Sequence, residues 1–121
     1  MRLNMLNGFD PKALAKALDS LPVGITIIDS EGIMLYFNDY CSRLLDRKPE
    51  YLGKNVSLCH KQEATKRKIV RMLEAFGQGR REPYQYRIER NGRWLGVTLT
   101  PLEEEGHFVG CIHSVIPEAA K

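Results

Sequence analysis

Hydrophobic residues first recur with helical spacing near the N-terminus. Three leucines lie three or four residues apart, which places them on one face of a helix: Leu14, Leu18 and Leu21. Asp10 is a typical cap for the free N–H groups of a helix start, and Pro11 needs no such partner at the first helical position. The pattern predicts a helix over residues 11–21 that is ended by Pro22.

Two short segments of β type follow, and helical spacing then returns. Residues 25–29 and 33–37 are rich in isoleucine and aromatic side chains, with a glycine-containing turn between them. A short helix is predicted next, capped by Asn38 or Asp39. A longer helix is predicted over residues 62–76, because its apolar residues share one face.

The last third of the chain alternates between apolar and polar residues, as half-buried strands do. Three strands are predicted from this alternation: residues 84–90, 94–100 and 107–116. Asn91 and Gly92 form a strong hairpin signal between the first two, and residues 103–106 form a polar turn before the third. Strands grouped at both ends of the chain predict an α+β fold, with an antiparallel sheet packed against helices.

Composition narrows the class of protein. The 121 residues, of which 43% are hydrophobic, suit one globular domain. No apolar run is long enough to span a bilayer and residues 1–10 lack the features of a signal peptide, so we expect no membrane association and a cytoplasmic location. The three cysteines are odd in number and lack C-x-x-C spacing, which excludes a disulfide framework and an ordinary zinc site.

Enzymatic and nucleic-acid functions find little support in the residues. The sequence contains no glycine-rich phosphate loop, no His-Glu-x-x-His and no Gly-x-Ser-x-Gly motif, so we expect no enzyme. The net charge of +3 is small. The basic residues of the long helix are interpreted as a solvated face, and no nucleic-acid partner is predicted.

Three stretches of the chain resemble the PAS domain family. Residues 18–38 are similar to the PAS opening: a helix end, a strand, an Asp-x-x-Gly turn, a second strand and an asparagine. Residues 52–56 resemble the turn before the family's long helix, and residues 106–110 resemble the start of its last strand. The resemblance implies a five-stranded antiparallel sheet with helices on one face and an N-terminal flanking helix.

The resemblance also implies a division of the chain. It assigns residues 1–21 to a flanking, dimerising helix, residues 22–117 to the PAS domain and residues 118–121 to a tail. The leucine stripe formed by Leu14, Leu18 and Leu21 is the predicted homodimer surface, because it has no earlier element to pack on.

A closer resemblance concerns residues 53–60, Gly-Lys-Asn-Val-Ser-Leu-Cys-His. They are similar to PAS domains attached to hemerythrin-like domains, in which a Cys-His pair precedes the long helix. Haem b is therefore implied as a cofactor to test, with His60 as the iron ligand and Cys59 beside it. The alternative interpretation makes Cys59 a small core residue and His60 a polar group at the helix start. Flavin is not expected, because Val56 stands where the flavin-reactive cysteine of the light-sensing subfamily would be.

The family's cavity between sheet and helices supplies the remaining candidates. Residues expected to line it or to bind a cofactor are His60, Cys59, His113, Cys111, Phe37, Leu44, Leu73 and Phe76. Cys111 and His113 share one face of the last strand with Val109 and Val115. Whether that face lines the cavity or points outward depends on a strand register that the sequence leaves open.

Two functions follow from this interpretation. The first is a sensory or regulatory module that binds a small ligand and signals through a dimer, an attached effector domain or a partner protein. The alternative is a ligand-free interaction module of a signalling protein or transcription regulator. Its core would be filled by apolar side chains: Ile27, Leu35, Phe37, Leu44, Leu73 and Phe76.

Overall fold

A computed structural model describes residues 10–45, 47–59 and 63–118, with only the backbone described for Leu58 and Cys59. The helices of this part are Pro11–Asp19 (α1), Asp39–Leu45 (α2) and Glu63–Gly77 (α3). The strands are Gly24–Asp29 (β1), Met34–Phe37 (β2), Tyr84–Arg90 (β3), Arg93–Glu104 (β4) and His107–Pro117 (β5). Two short 3₁₀ helices, Pro49–Tyr51 and Val56–Cys59, lie between α2 and α3.

The five strands form one antiparallel sheet in the order β2-β1-β5-β4-β3. The first and last strands of the chain are therefore neighbours near the middle of the sheet. This arrangement, with α2 and α3 packed on one face, confirms the predicted α+β class and the implied five-stranded sheet.

Alternation along each strand determines which side chains meet the helices. Two groups of buried side chains lie on the helix-covered face. One joins sheet and α3 and contains Ile28, Met34, Val56, Met72, Phe76, Leu99 and Cys111. The other consists of Leu95, Val97 and Val115, with Leu44 and Leu45 of α2 packed against it. The sheet and the two helices thus share one interior.

Two predicted boundaries differ from those observed. α1 ends at Asp19 rather than at residue 21, because the residue before Pro22 is disfavoured in helical conformation. β4 extends through Glu104, and the turn before β5 consists only of Glu105 and Gly106, both with positive φ. The hairpin prediction at residues 91–92 is confirmed, since both residues have positive φ.

One predicted position in β2 was wrong. Leu35 was a candidate for core filling, but its side chain is 56% exposed. The pairing of β1 with β2 shifts by one residue, since Ile27 pairs with Tyr36 and Ile28 with Met34. Leu35 is the extra residue of this bulge, and its side chain is turned away from the interior.

The fully buried Asn38 side chain links three segments. Its Oδ1 accepts hydrogen bonds from the backbone N–H groups of Ile25 (2.9 Å) and Cys41 (3.0 Å). Its Nδ2 donates to the carbonyls of Leu18 (2.8 Å) and Val23 (2.9 Å). Of the two predicted caps for α2, Asn38 is the one used, and the same amide also holds the end of α1 and the start of β1.

We expect Asn38→Ala to lower the free energy of unfolding by about 3 kcal/mol, because it leaves several buried backbone groups without partners. Asn38→Asp retains the acceptor but cannot donate to two carbonyls, so it is expected to destabilise as well. Urea denaturation measures both effects. Gln85→Ala, at an exposed position of β3, is the control and is expected to change stability by less than about 0.5 kcal/mol. Equal effects at positions 38 and 85 would contradict this role.

Candidate functional site

A cavity of about 720 Å³ lies between the helix-covered face of the sheet, α3 and the segment after α2. Its lining is mixed: apolar side chains are contributed by Ile28, Val56, Ile69, Met72, Leu73 and Leu99. Polar side chains also line it, among them Arg47, Lys68, Tyr86 and His113. A cleft with convergent polar groups beside apolar side chains is a usual place for a small molecule to bind.

The register of β5 answers the question that the sequence left open. Cys111 and His113 both line the cavity, and His113 pairs with Thr26 on one side and Leu99 on the other. Val109 was expected on the same face but is exposed. The pairing of β4 with β5 shifts after Leu102, which makes Val109 the extra residue of a bulge.

The predicted cavity residues fall into three groups. Leu73, Cys111 and His113 line the cavity. Phe37, Leu44 and Phe76 are not among its lining residues, and their predicted part in binding a cofactor stays a prediction. His60 lies outside the described residues and the side chain of Cys59 is not described, so the predictions for these two residues stay predictions.

Packing explains why these three side chains lie outside the cavity lining. The Phe76 ring is fully buried against Tyr84 and Phe108, with ring centroids 5.3 Å and 5.6 Å apart. Leu44 packs on the second group of buried residues, and its neighbour Leu45 takes the place at the cavity. Phe37 pairs with Thr26 at the end of β2, away from the cavity lining.

Arg47 is the functional candidate that sequence reasoning missed. Its side chain is only 4% exposed, and its Nε donates a 3.1 Å hydrogen bond to the hydroxyl of Thr26. The Arg47 carbonyl accepts a hydrogen bond of 2.8 Å from the hydroxyl of Ser42 in α2. The available signal was Thr26, a polar residue that shares the buried face of β1 with Ile28.

Burial controls the ionisation of two further cavity residues. It raises the pKa of the Cys111 thiol to about 12, so this cysteine stays protonated at neutral pH. Burial also raises the pKa of Tyr86, an effect that the nearby positive charge of Arg47 opposes. The Lys68 ammonium lies 4.1 Å from the centre of the Tyr86 ring, in a cation–π contact.

These groups do not form a metal site. Within residues 10–45, 47–59 and 63–118, no three His, Cys, Asp or Glu side chains are placed to hold a metal ion. In the same part of the chain, none of the helices is long and apolar enough to cross a bilayer. The features that characterise the candidate site are its cavity and the positive charge of Arg47.

An antiparallel sheet covered on one face by helices, with a cavity between the two layers, defines a small α+β domain. The family model described as "PAS domain" matches residues 14–116, so the chain belongs to the PAS domain family. PAS domains are typically sensory, non-catalytic modules of signalling proteins, and they commonly mediate dimerisation or contact with a partner. The resemblance to the PAS family is confirmed, and the closer resemblance of residues 53–60 stays a prediction.

Solved structures of similar fold agree with this assignment. The C-terminal domain of a Streptococcus mutans protein is 24% identical, with a TM-score of 0.75 over 90% of this chain and 85% of that one. The PAS domain of Bordetella pertussis BvgS is 22% identical, with a TM-score of 0.72 over 91% and 87%. The PAS domain of histidine kinase ThkA is 16% identical, with a TM-score of 0.61 over 78% and 97%. No curated protein matches the chain.

Proposed function

We propose that this PAS domain is a sensory module that binds a small molecule in its cavity and signals through a rearrangement of a dimer or of a partner protein. The observation that supports this most directly is the cavity volume of about 720 Å³. Small-molecule sites typically measure about 300–1,000 Å³. A ligand-free interaction module would be expected to fill this space, because protein cores leave few voids larger than a water molecule.

A continuous set of contacts leads from the cavity to α1. Arg47 borders the cavity and is bonded through its carbonyl to Ser42 of α2. α2 is capped by Asn38, whose amide also holds the carbonyl of Leu18 in α1. A ligand that favours one of two arrangements of these segments shifts the balance by its difference in affinity for them.

We also propose that α1 forms the surface of a homodimer. The helix has no fully buried residue, and hydrogen bonds attach it to the domain: the Tyr36 hydroxyl donates to the carbonyl of Ala15 (3.2 Å), and Asn38 Nδ2 donates to that of Leu18 (2.8 Å). Leu14 and Leu21, the latter just beyond the helix, are 38% and 39% exposed. A second copy of the chain would remove this apolar surface from water.

The homodimer is tested by sedimentation velocity at high micromolar concentration. The wild type is expected to sediment as a dimer, and Leu14→Glu as a monomer, because a carboxylate buried at an apolar interface has no partner. Lys12→Glu, at an exposed position of the same helix, is the control and should remain dimeric. A wild-type protein that stays monomeric would contradict the proposed dimer.

Ligand binding in the cavity is tested with Nile red, a neutral apolar dye. We expect saturable binding to the wild type and loss of most of the fluorescence gain in Ile69→Trp, because the larger side chain occupies the cavity. Val70→Trp makes the same kind of change at the next, exposed position of α3, outside the cavity lining, and should bind as the wild type does.

Circular dichroism checks that both tryptophan variants fold. Absence of saturable binding to the wild type, or equal binding by Ile69→Trp, would contradict a ligand-binding cavity and favour the ligand-free interaction module.

Haem stays a proposal for the same cavity. Among the described lining residues, the imidazole of His113 is a suitable iron ligand, whereas the protonated thiol of Cys111 is not. His60 is the further candidate from the sequence. A bound haem would supply redox or gas-binding chemistry, and an absorption spectrum after addition of haemin would reveal it by a Soret band that His60→Ala or His113→Ala removes.

A further inference from the structure

The Arg47 guanidinium is a buried charge without a counter-ion in the described part of the chain. Its one hydrogen bond there runs from Nε to the hydroxyl of Thr26, which is a neutral acceptor. The ion pairs between described residues all lie elsewhere, on Lys66, Arg81 and Arg87. The two terminal nitrogens of Arg47 thus have no protein acceptor in residues 10–45, 47–59 and 63–118.

Burial of such a group is costly, because a guanidinium stays protonated and loses its hydration. An arginine is retained in an interior when an anion or ordered water satisfies its remaining N–H groups. Its planar fork presents two parallel donors that match the two oxygens of a carboxylate. The cavity that Arg47 borders is the space from which such a group can approach.

No titrating neighbour in the described cavity lining replaces this anion. Burial raises the pKa of both Tyr86 and Cys111, so the phenol and the thiol stay neutral at physiological pH. Glu89 is the one carboxylate among the described lining residues, and it lies on β3 with its side chain exposed, beyond ion-pair distance of Arg47.

The field of the cavity also favours an anion. Lys48, Lys68 and Arg90 line it together with Arg47, against the single carboxylate of Glu89. Cations grouped around one cleft produce a positive potential that attracts an anion into it. The Lys68 ammonium is already engaged with the Tyr86 ring. Arg47 is therefore the cation that would contact the anion directly.

We propose that the cavity binds a small organic acid whose carboxylate accepts two hydrogen bonds from the guanidinium of Arg47 and whose apolar body lies against Ile28, Ile69 and Leu99. This inference rests on the proposed function, since it names the class of ligand for the same cavity. A carboxylate is favoured over a phosphate monoester because the fork of one guanidinium satisfies both oxygens of a carboxylate.

Isothermal titration calorimetry with two matched probes, octanoate and octanamide, tests the proposal on the full chain. Both present the same apolar body, and they differ in the charge of the head group. The wild type is expected to bind octanoate roughly tenfold more tightly than octanamide, because a hydrogen-bonded ion pair with a buried arginine is stronger than a neutral contact. Arg47→Met should remove this preference while octanamide still binds.

Two further variants serve as controls. Arg90→Met removes a cation from the same lining, at an exposed position, and should keep most of the preference for octanoate. Arg47→Lys keeps the charge but loses the fork, and an intermediate preference is expected. It also provides a second test if Arg47→Met fails to fold.

The outcomes separate this inference from the proposed function. Equal binding of octanoate and octanamide by the wild type would overturn the carboxylate assignment but leave a ligand-binding cavity intact. An unchanged preference in Arg47→Met would overturn the role of Arg47. Octyl phosphate binding more tightly than octanoate would assign the head group to a phosphate instead. If neither octanoate nor octanamide binds, and Nile red does not bind either, the cavity proposal fails as well.

Discussion

The four hydrogen bonds of the buried Asn38 amide are the constraint on which the arrangement of this domain depends. A buried amide must satisfy both its donor and its acceptor, so the backbone groups it meets are fixed relative to one another. The end of α1, the start of β1 and the first turn of α2 are therefore positioned by one side chain. Since α2 leads into the segment that carries Arg47, this constraint also positions one wall of the cavity.

The cavity and the Arg47 side chain both forgo interactions that would stabilise the fold. An unfilled volume forgoes packing contacts, and an arginine that is 4% exposed gives up most of its hydration without a described protein anion in return. Local features that weaken a fold in this way are expected at functional sites. An organic acid would restore both losses at once, because its apolar body fills the cavity and its carboxylate pairs with Arg47. Binding of the organic acid would then be coupled to the ordering of the segments around the cavity.

Local patterns in the sequence predicted the fold well. The alternation in the last third of the chain predicted β3, β4 and β5, and Asn91 with Gly92 predicted the hairpin, because these depend on neighbouring residues alone. The site was harder to predict. The apolar face of α3 contains both Met72 and Phe76, which are both buried, and only packing against Tyr84 and Phe108 decides that Phe76 does not border the cavity. Arg47 lies in a charged stretch of sequence that is typical of an exposed loop, and its burial depends on Thr26, a residue far away in the chain.

A crystal structure of the protein with octanoate is the most direct test of the role of Arg47, because it locates the head group of the ligand. We expect an octanoate carboxylate within hydrogen-bond distance of both terminal nitrogens of Arg47, with the alkyl chain between the sheet and α3. A carboxylate placed instead at Lys68 or Arg90, or an octanoate bound outside the cavity, would contradict it.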